Sequence, residues 1–585
     1  MALRVGGRRI FLMGAMLFAL LGLCRLVAEE DFRPAFAEAK KRGERRMVIP
    51  PGTYRLAPEA GGKVAWTLQG LKDVEIIADG VTLVSTKLTR SVAIDRCSGV
   101  TIRGLAVDYD PLPFTQGTVS AVGPDLNSIE VKLHAGYPRK PYARIDVIDA
   151  ATRFRKKGMP FLWGTKAEMV GEDTVRVSLK GIGKAAAVGD LASLSTSTEP
   201  GGIPHALTIE HCTGVTLQNV TIHSAPGMGI LESDGGGATK YLGCRVVPGP
   251  KPAGGSEERL LSTSWDAMQT KTVRVGPWIE NCEVRDAGDD SWSVQSADFM
   301  VLKQTGATLV LGSRDEYTIG VDVGDRLTVS LGAPAATVRT RRSLSRTEAE
   351  LDPAILAKLN EAAAYSMWRV APRCIEVTLD AELPVKAGDS LFSPDRMGNG
   401  FTFLNNRIHS AGRVLIKAAG RIEGNVLDTP HALTVCPEVP GSAAAGVDGI
   451  VIRRNTIRHA GWFCPAPWSA MAGALSITAT GEKQTLRAPG VFANVVIEDN
   501  VFEECSGPNV VLTSARGVVL RGNRFLRPQH DQPPSTGASF AIPANAVIWI
   551  ANSDDVELRA NEISDPGPFA GELIQTSRGT SNVRR

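Results

Sequence analysis

The chain has almost no charge imbalance: 65 lysines and arginines stand against 62 aspartates and glutamates in 585 residues. Without a basic field there is nothing to track a phosphate backbone, so nucleic acid is excluded as the partner. No CxxC pair occurs among the nine cysteines, which argues against a zinc site and against a disulfide framework. Beyond Leu23 no run is long and apolar enough to cross a bilayer. The mature chain is therefore expected to have no membrane partner.

The N-terminus reads as an export signal. Arg4, Arg8 and Arg9 precede the apolar run Ile10 to Leu23, and "LVAEE" offers Ala28 as the small residue at a cleavage point. A mature chain starting near Glu29, in the periplasm or outside the cell, is the expectation. Cys24 follows Leu23, where lipid attachment needs a small side chain, so an anchor is not expected.

Glycine is plentiful at 60 residues and hydrophobics reach 43%, the composition of a β-rich chain with many turns. Similar segments recur: "VAIDRCSGVTIRGLAVDYD", "LTIEHCTGVTLQNVTIHSAP", "PWIENCEVRDAG", "FTFLNNRIHSAGRVLIKA", "IVIRRNTIRHAG" and "VVIEDNVFEECSG". Each is a short β-branched run of period two, then Asn or Gly, then another such run. Asn281, Asn406, Asn455, Asn500, Asn523 and Asn561 recur at one place, where a side-chain amide bonds the backbone at a bend and stacks on its counterpart. Asn500 and Asn523 are 23 residues apart. A period of twenty-odd residues built from short strands predicts an all-β fold, a parallel β-helix. Cys97, Cys212 and Cys282 sit in similar contexts and are expected to be stacked free thiols in one repeated slot.

The repeat is interrupted twice, from about Tyr109 to Gly201 and from about Ala297 to Met397, by alternating strands with turn signals and one amphipathic helix near "DPAILAKLNEAAAY". The two insertions are expected to assemble one accessory β-barrel or sandwich leaning on the solenoid. The resulting division is a signal over 1–28, a helical cap ("FRPAFAEAKKRGE") and first rungs over 29–108, and the first accessory part over 109–200. Rungs carrying the site follow over 201–297, the second accessory part over 298–397, and C-terminal rungs and tail over 398–585. The cap helix covers the otherwise exposed edge of the first rung.

The chemistry concentrates in "DAGDDSWSVQS", where Asp289 and Asp290 follow Gly288, and in "LLSTSWDAMQTK", where Asp266 precedes Asp289 by 23 residues, one rung interval. Neighbouring strands lie about 4.7–4.9 Å apart, so three carboxylates are expected to crowd one patch. Such crowding raises the proton affinity of one while another stays ionised, as a general acid and base require. The competing reading is a solvated turn, as in Asp554-Asp555 of "ANSDDVEL". Trp265 and Trp292 flank the acids as candidate sugar-stacking faces. Arg413 and Lys417 in "AGRVLIKA" are candidates to hold substrate hydroxyls or an anionic group, or Arg413 simply pairs with the carboxylates. His223 and His409, in matching "IHSA" contexts, read as rung residues. No metal and no cofactor is required.

The stretches "VDYDPLPFTQGTV", "RLLSTSWDA", "GPWIENCEVRDAGDDS" and "GRVLIKAAGRIEGNVL", in this order, resemble glycoside hydrolase family 110, exo-acting α-1,3-galactosidases on a right-handed β-helix. The likeness runs from roughly Pro50 to beyond Asn523. It implies inverting hydrolysis of an oligosaccharide or polysaccharide, with Asp289 as general acid and Asp266 and Asp290 positioning and deprotonating the water. Polygalacturonases show a similar lone Asp followed one coil later by Asp-Asp. The family carries Asn then His after the double Asp, where this chain has Ser291 to Ser296. It also has Gly and His after the first Asp, where Ala267, Met268 and Gln269 stand. These departures bear on galactose specificity. The rival classes are a lyase or polygalacturonase-like enzyme on a uronate polymer, and a non-catalytic glycan-binding β-helix.

Overall fold

The computed structural model describes residues 31–159, 165–196, 205–313, 320–345, 347–349, 353–354, 373–431, 433–436, 446–463, 472–479, 485–533 and 542–585. The expected export signal lies outside them, as does nearly all of the helix expected near "DPAILAKLNEAAAY".

Three parallel sheets of 13, 12 and 12 strands wind into a right-handed β-helix. One coil shows the logic: Trp278–Glu280 lies on the first wall, Glu283–Arg285 on the second and Trp292–Gln295 on the third. Alternation sends Ile279, Val284, Trp292 and Val294 inward, all at most 4% exposed, while Trp278 and Glu280 point out. Each strand is too short to stand alone, so stability comes from stacking each coil on the next.

The first-to-second corner carries an amide ladder. Asn406 donates through Nδ2 to Asn425 at 3.0 Å, Asn425 to Asn455 at 2.9 Å, Asn455 to Asn500 at 3.0 Å, Asn500 to Asn523 at 3.0 Å and Asn523 to Asn561 at 2.9 Å. Asn425 is a rung of this ladder that the repeat did not reveal. Asn281 stands outside it: the residue is exposed at φ 54°, and the Cys282 N–H takes the ladder position, donating to Asn406 Oδ1 at 2.8 Å. The single cysteine slot also divides in two. Cys97 and Cys212 stack at the third-to-first corner, the Cys97 N–H meeting Cys212 Sγ at 3.2 Å, whereas Cys282 belongs with Cys244 at the first-to-second corner. All seven described cysteines are buried.

The helix Arg33–Lys41 buries Phe36 and Ala39. Phe32 and Phe36 meet Trp66 edge-on at 5.0 and 5.2 Å, closing the N-terminal end of the core.

The first insertion leaves the solenoid after Ala106–Tyr109 and returns at Leu207–Glu210; it forms a six-stranded antiparallel sheet. The second leaves after Trp292–Gln295, returns at Phe401–Leu404 and forms a closed six-stranded barrel. Accessory β structure therefore arises from both insertions, but as two units rather than one joint barrel. Each has its own apolar interior, Val119, Val131, Ile145 and Val177 in the sheet and Phe299, Leu311, Val338 and Ile375 in the barrel. Among the described residues each insertion's strands pair only with strands of the same insertion.

Candidate active site

Register decides which carboxylates meet. Met268–Lys271 pairs with Trp292–Gln295, Met268 opposite Trp292, and Thr263 bridges Ala287. The local interval is thus 24 residues, and Asp290 stands over Asp266; the Ala267 N–H donates to the Asp290 carbonyl at 2.8 Å. The 23-residue interval had put Asp289 there. Asp289 instead sits one position earlier, in the corner leading into the third wall. Even so, each of Asp266, Asp289 and Asp290 offers one oxygen within 4.8 Å of the others. Asp266 and Asp290 are buried and Asp289 half-buried.

Two glycines make the corner possible by close backbone approach. A Cβ on Gly288 would lie 2.6 Å from the Ser264 carbonyl oxygen, and one on Gly412 would lie 1.7 Å from the Asp289 carbonyl oxygen. Neither distance admits a side chain.

Arg413 Nε donates to Asp290 Oδ1 at 2.6 Å, and Gln269 Nε2 donates to Asp266 Oδ2 at 3.0 Å. Both bonds favour the ionised carboxylate. The trio's spacing would also suit a cation, but the Arg413 guanidinium already brings positive charge to one member.

The first insertion forms the facing wall. Arg144 and Arg155 flank Asp146 at 3.9 and 3.5 Å, and Arg155 packs 4.0 Å over the ring of Phe463. His431 meets the same ring edge-on at 4.6 Å; burial, then Arg413 and Arg155, hold it neutral. A small cavity between insertion and solenoid is lined by Asp146, Arg153, Phe154, Arg155, Asp286 and Ala287 among others. Burial pushes the Asp286 carboxyl up to about 6. Local sequence gave no signal for Arg155, Asp146 or His431, because they reach the site only when the insertion folds back on later coils.

The other expected site residues fall in different places. Trp292 is 1% exposed and stacks on Phe403 at 4.5 Å and 11°, inside the solenoid. Its expected sugar-facing role is corrected: strand parity aligns it with Met268 and Val414, both core residues. Trp265 precedes the strand, is half-buried and meets His205 edge-on at 5.8 Å. Lys417 is buried on the third wall, four residues beyond Arg413. His409 pairs with Asp428 at 3.2 Å and lies 4.9 Å from Phe154, while His223 is half-buried and held neutral by burial.

Fold and site together define a parallel β-helix with an acidic trio where one corner opens into the third wall. No family model matches the sequence. The chain is similar to Alpha-1,3-galactosidase A of Bacteroides fragilis, from two strains, each 20% identical over 616 aligned residues spanning 95% of this chain and 92% of that protein. Among solved structures it is similar to the Azotobacter vinelandii mannuronan C-5 epimerase AlgE6 A-module (10% identity, 95% of this chain and 96% of that one, TM-score 0.38). It is also similar to the Yersinia enterocolitica Family 28 exopolygalacturonase (9% identity, 92% and 72%, TM-score 0.38).

Proposed function

We propose that this protein is an exported, exo-acting glycoside hydrolase that releases α-linked galactose from glycan ends with inversion. The observation that carries the reading is the trio itself: three carboxylates on one corner with oxygens within 4.8 Å of one another. Like charges so close cannot all ionise, and one keeps a proton. Arg413 and Gln269 bond Asp290 and Asp266, and we assign the donated proton to Asp289, the role the family resemblance implies for it. In a single displacement Asp289 donates to the glycosidic oxygen. A water between Asp266 and Asp290 gives a proton to one of them and attacks the anomeric carbon from the opposite face as the bond to the glycosidic oxygen breaks. Two acceptors can share one water when they are less than about 5.6 Å apart, twice an ordinary O···O hydrogen bond of about 2.8 Å.

The likeness to a protein named for α-1,3-galactosidase activity, over 95% of this chain, supports a glycan-acting enzyme and makes terminal α-linked galactose the first substrate to try. The spacing leaves stereochemistry to experiment. Inverting enzymes separate acid and base by about 6.5–9.5 Å and retaining ones by about 5–5.5 Å, while the nearest oxygens here are closer than either.

The test is a screen of aryl α-galactosides and α-1,3-linked oligosaccharides, product anomers followed by NMR, with wild type and Asp289→Asn. Initial release of the β-anomer, lost in the variant, supports the proposal. Initial α-anomer refutes a single displacement. An unsaturated, ultraviolet-absorbing product that chelator abolishes assigns a lyase instead, and glycan binding without turnover assigns a non-catalytic protein.

A further inference from the structure

Gln269 lies on the third wall between Met268 and Thr270. Met268 belongs to the solenoid core, and alternation along the strand turns Gln269 to the outer face, where its Nε2 donates to Asp266 Oδ2 at 3.0 Å. This bond fixes which way the amide points. A carboxylate oxygen only accepts, so the amino group faces Asp266 and Oε1 is turned away from it. That oxygen accepts no hydrogen bond among the described residues and is not sealed from solvent, Gln269 being 8% exposed. One coil later Ser293 stands opposite Gln269 in the register, also turned outward, between the core residues Trp292 and Val294. It is buried, and its Oγ meets no partner among the described residues. Two unmet polar groups therefore stand on strands about 4.7–4.9 Å apart, each three residues past an aspartate of the trio, Asp266 for Gln269 and Asp290 for Ser293. Unmet polar groups held away from bulk water cost free energy. A ligand rich in hydroxyls supplies what both lack.

We propose that Gln269 determines sugar specificity while holding Asp266: Nε2 positions the carboxylate, and Oε1 accepts a hydrogen bond from one hydroxyl of the terminal sugar. The inference rests on the hydrolase reading and deepens it by naming a group that reads the sugar. The two ends of one amide act together. Rotating the side chain to follow a hydroxyl placed elsewhere breaks the bond to Asp266, so the wrong sugar loses both the contact and the alignment of the water. Ser293 completes the floor beside it, with a hydroxyl that can donate to or accept from the same sugar. An apolar side chain in place of Gln269 would touch the sugar's carbons and read no hydroxyl.

The experiment measures kcat and KM of wild type, Gln269→Met and Gln269→Glu on an aryl α-galactoside and its monodeoxy analogues, with binding of the matching methyl α-galactosides followed by calorimetry. At one ring position, removing the hydroxyl should cost wild type about tenfold or more in kcat/KM. In Gln269→Met the same removal should cost nothing further, because the acceptor is gone, while kcat falls on every substrate because Asp266 is no longer held. Gln269→Glu keeps an oxygen acceptor and should keep the wild-type preference at that position with a lower kcat. Gln269→Asn, an amide one carbon short, serves in place of Gln269→Met if that variant does not fold. A merely structural role would lower every substrate alike and leave the deoxy pattern of Gln269→Met the same as that of wild type. That result overturns the proposal while the hydrolase reading stands. If wild type turns over no galactoside, the hydrolase reading fails and calorimetry decides: a deoxy penalty in binding that vanishes in Gln269→Met upholds the sugar contact, and a penalty that persists, or no binding at all, refutes it.

Discussion

Arg413 and Asp290 stand 123 positions apart in the chain, yet Arg413 Nε donates to Asp290 Oδ1 across 2.6 Å. The whole second insertion separates them in sequence. In space they occupy adjacent coils, since Val414 pairs with Trp292. Both side chains are at most 10% exposed, so the pair is buried and each member depends on the other.

Arg413→Met is therefore expected to strand a buried carboxylate. Losing one partner of a buried pair costs about 3 kcal/mol, and Asp290 relieves it by taking up a proton. Chemical denaturation should show the loss at pH 7 and a smaller one near pH 4, and activity should fall with KM little changed. Equal destabilisation at both pH values would contradict the pairing.

Gly412→Ala puts a methyl group into the Asp289 carbonyl oxygen, forcing the corner to move. Misplacing a catalytic group by about 1 Å costs on the order of 100-fold in rate. The expected outcome is that loss in kcat with a cooperative unfolding transition still present. Unchanged kcat would show that the position of Asp289 is not critical.

Trp292→Ala should cost about 3–5 kcal/mol as a core cavity, while Trp292→Phe should lose much less and leave KM for glycan unchanged. A raised KM in folded Trp292→Phe would restore the sugar-stacking role that its burial removes.

Glu232 points into the solenoid, where Thr239, Tyr241 and Thr270 hydroxyls surround it and burial pushes its carboxyl up to about 7. A folded-state pKa raised above the unfolded value near 4.5 means the native chain holds the proton longer. Its stabilising effect is complete below about pH 4.5, is lost as pH rises to about 7, and amounts to about 3 kcal/mol. Glu232→Gln should remove that pH dependence from unfolding curves. A variant with the same slope as wild type would mean that Glu232 is ionised in the native state.

Asn455→Ala breaks the amide ladder in its middle, leaving the Asn425 amide and the Ile422 carbonyl without their partner. Each buried group left unsatisfied costs about 1–3 kcal/mol. Asn561→Ala, at the half-buried end, should cost clearly less, as read by thermal unfolding.

Much of this was legible because a solenoid writes its packing into a local repeat. Inward Val, Ile and Leu at period two, and Asn at each corner, announce the coil before any long-range contact is known. The acidic patch could be read for the same reason, being spaced by one coil. What misled was phase. A coil of 24 residues rather than 23 moved the partner of Asp266 from Asp289 to Asp290, and strand parity turned Trp292 inward. A corner glycine and the length of the preceding turn set that phase, and neither follows a fixed period.

By itself the sequence determined the β-helix, the two insertions and the cluster of aspartates, since each depends on residues close in the chain or on a regular interval. Only the tertiary structure decided that each insertion forms its own sheet or barrel, that Arg413 binds Asp290, and that Arg155 packs over Phe463. Those contacts join segments tens to hundreds of residues apart. Their geometry depends on how whole units dock, where burial and charge act across space and leave no periodic trace in the chain.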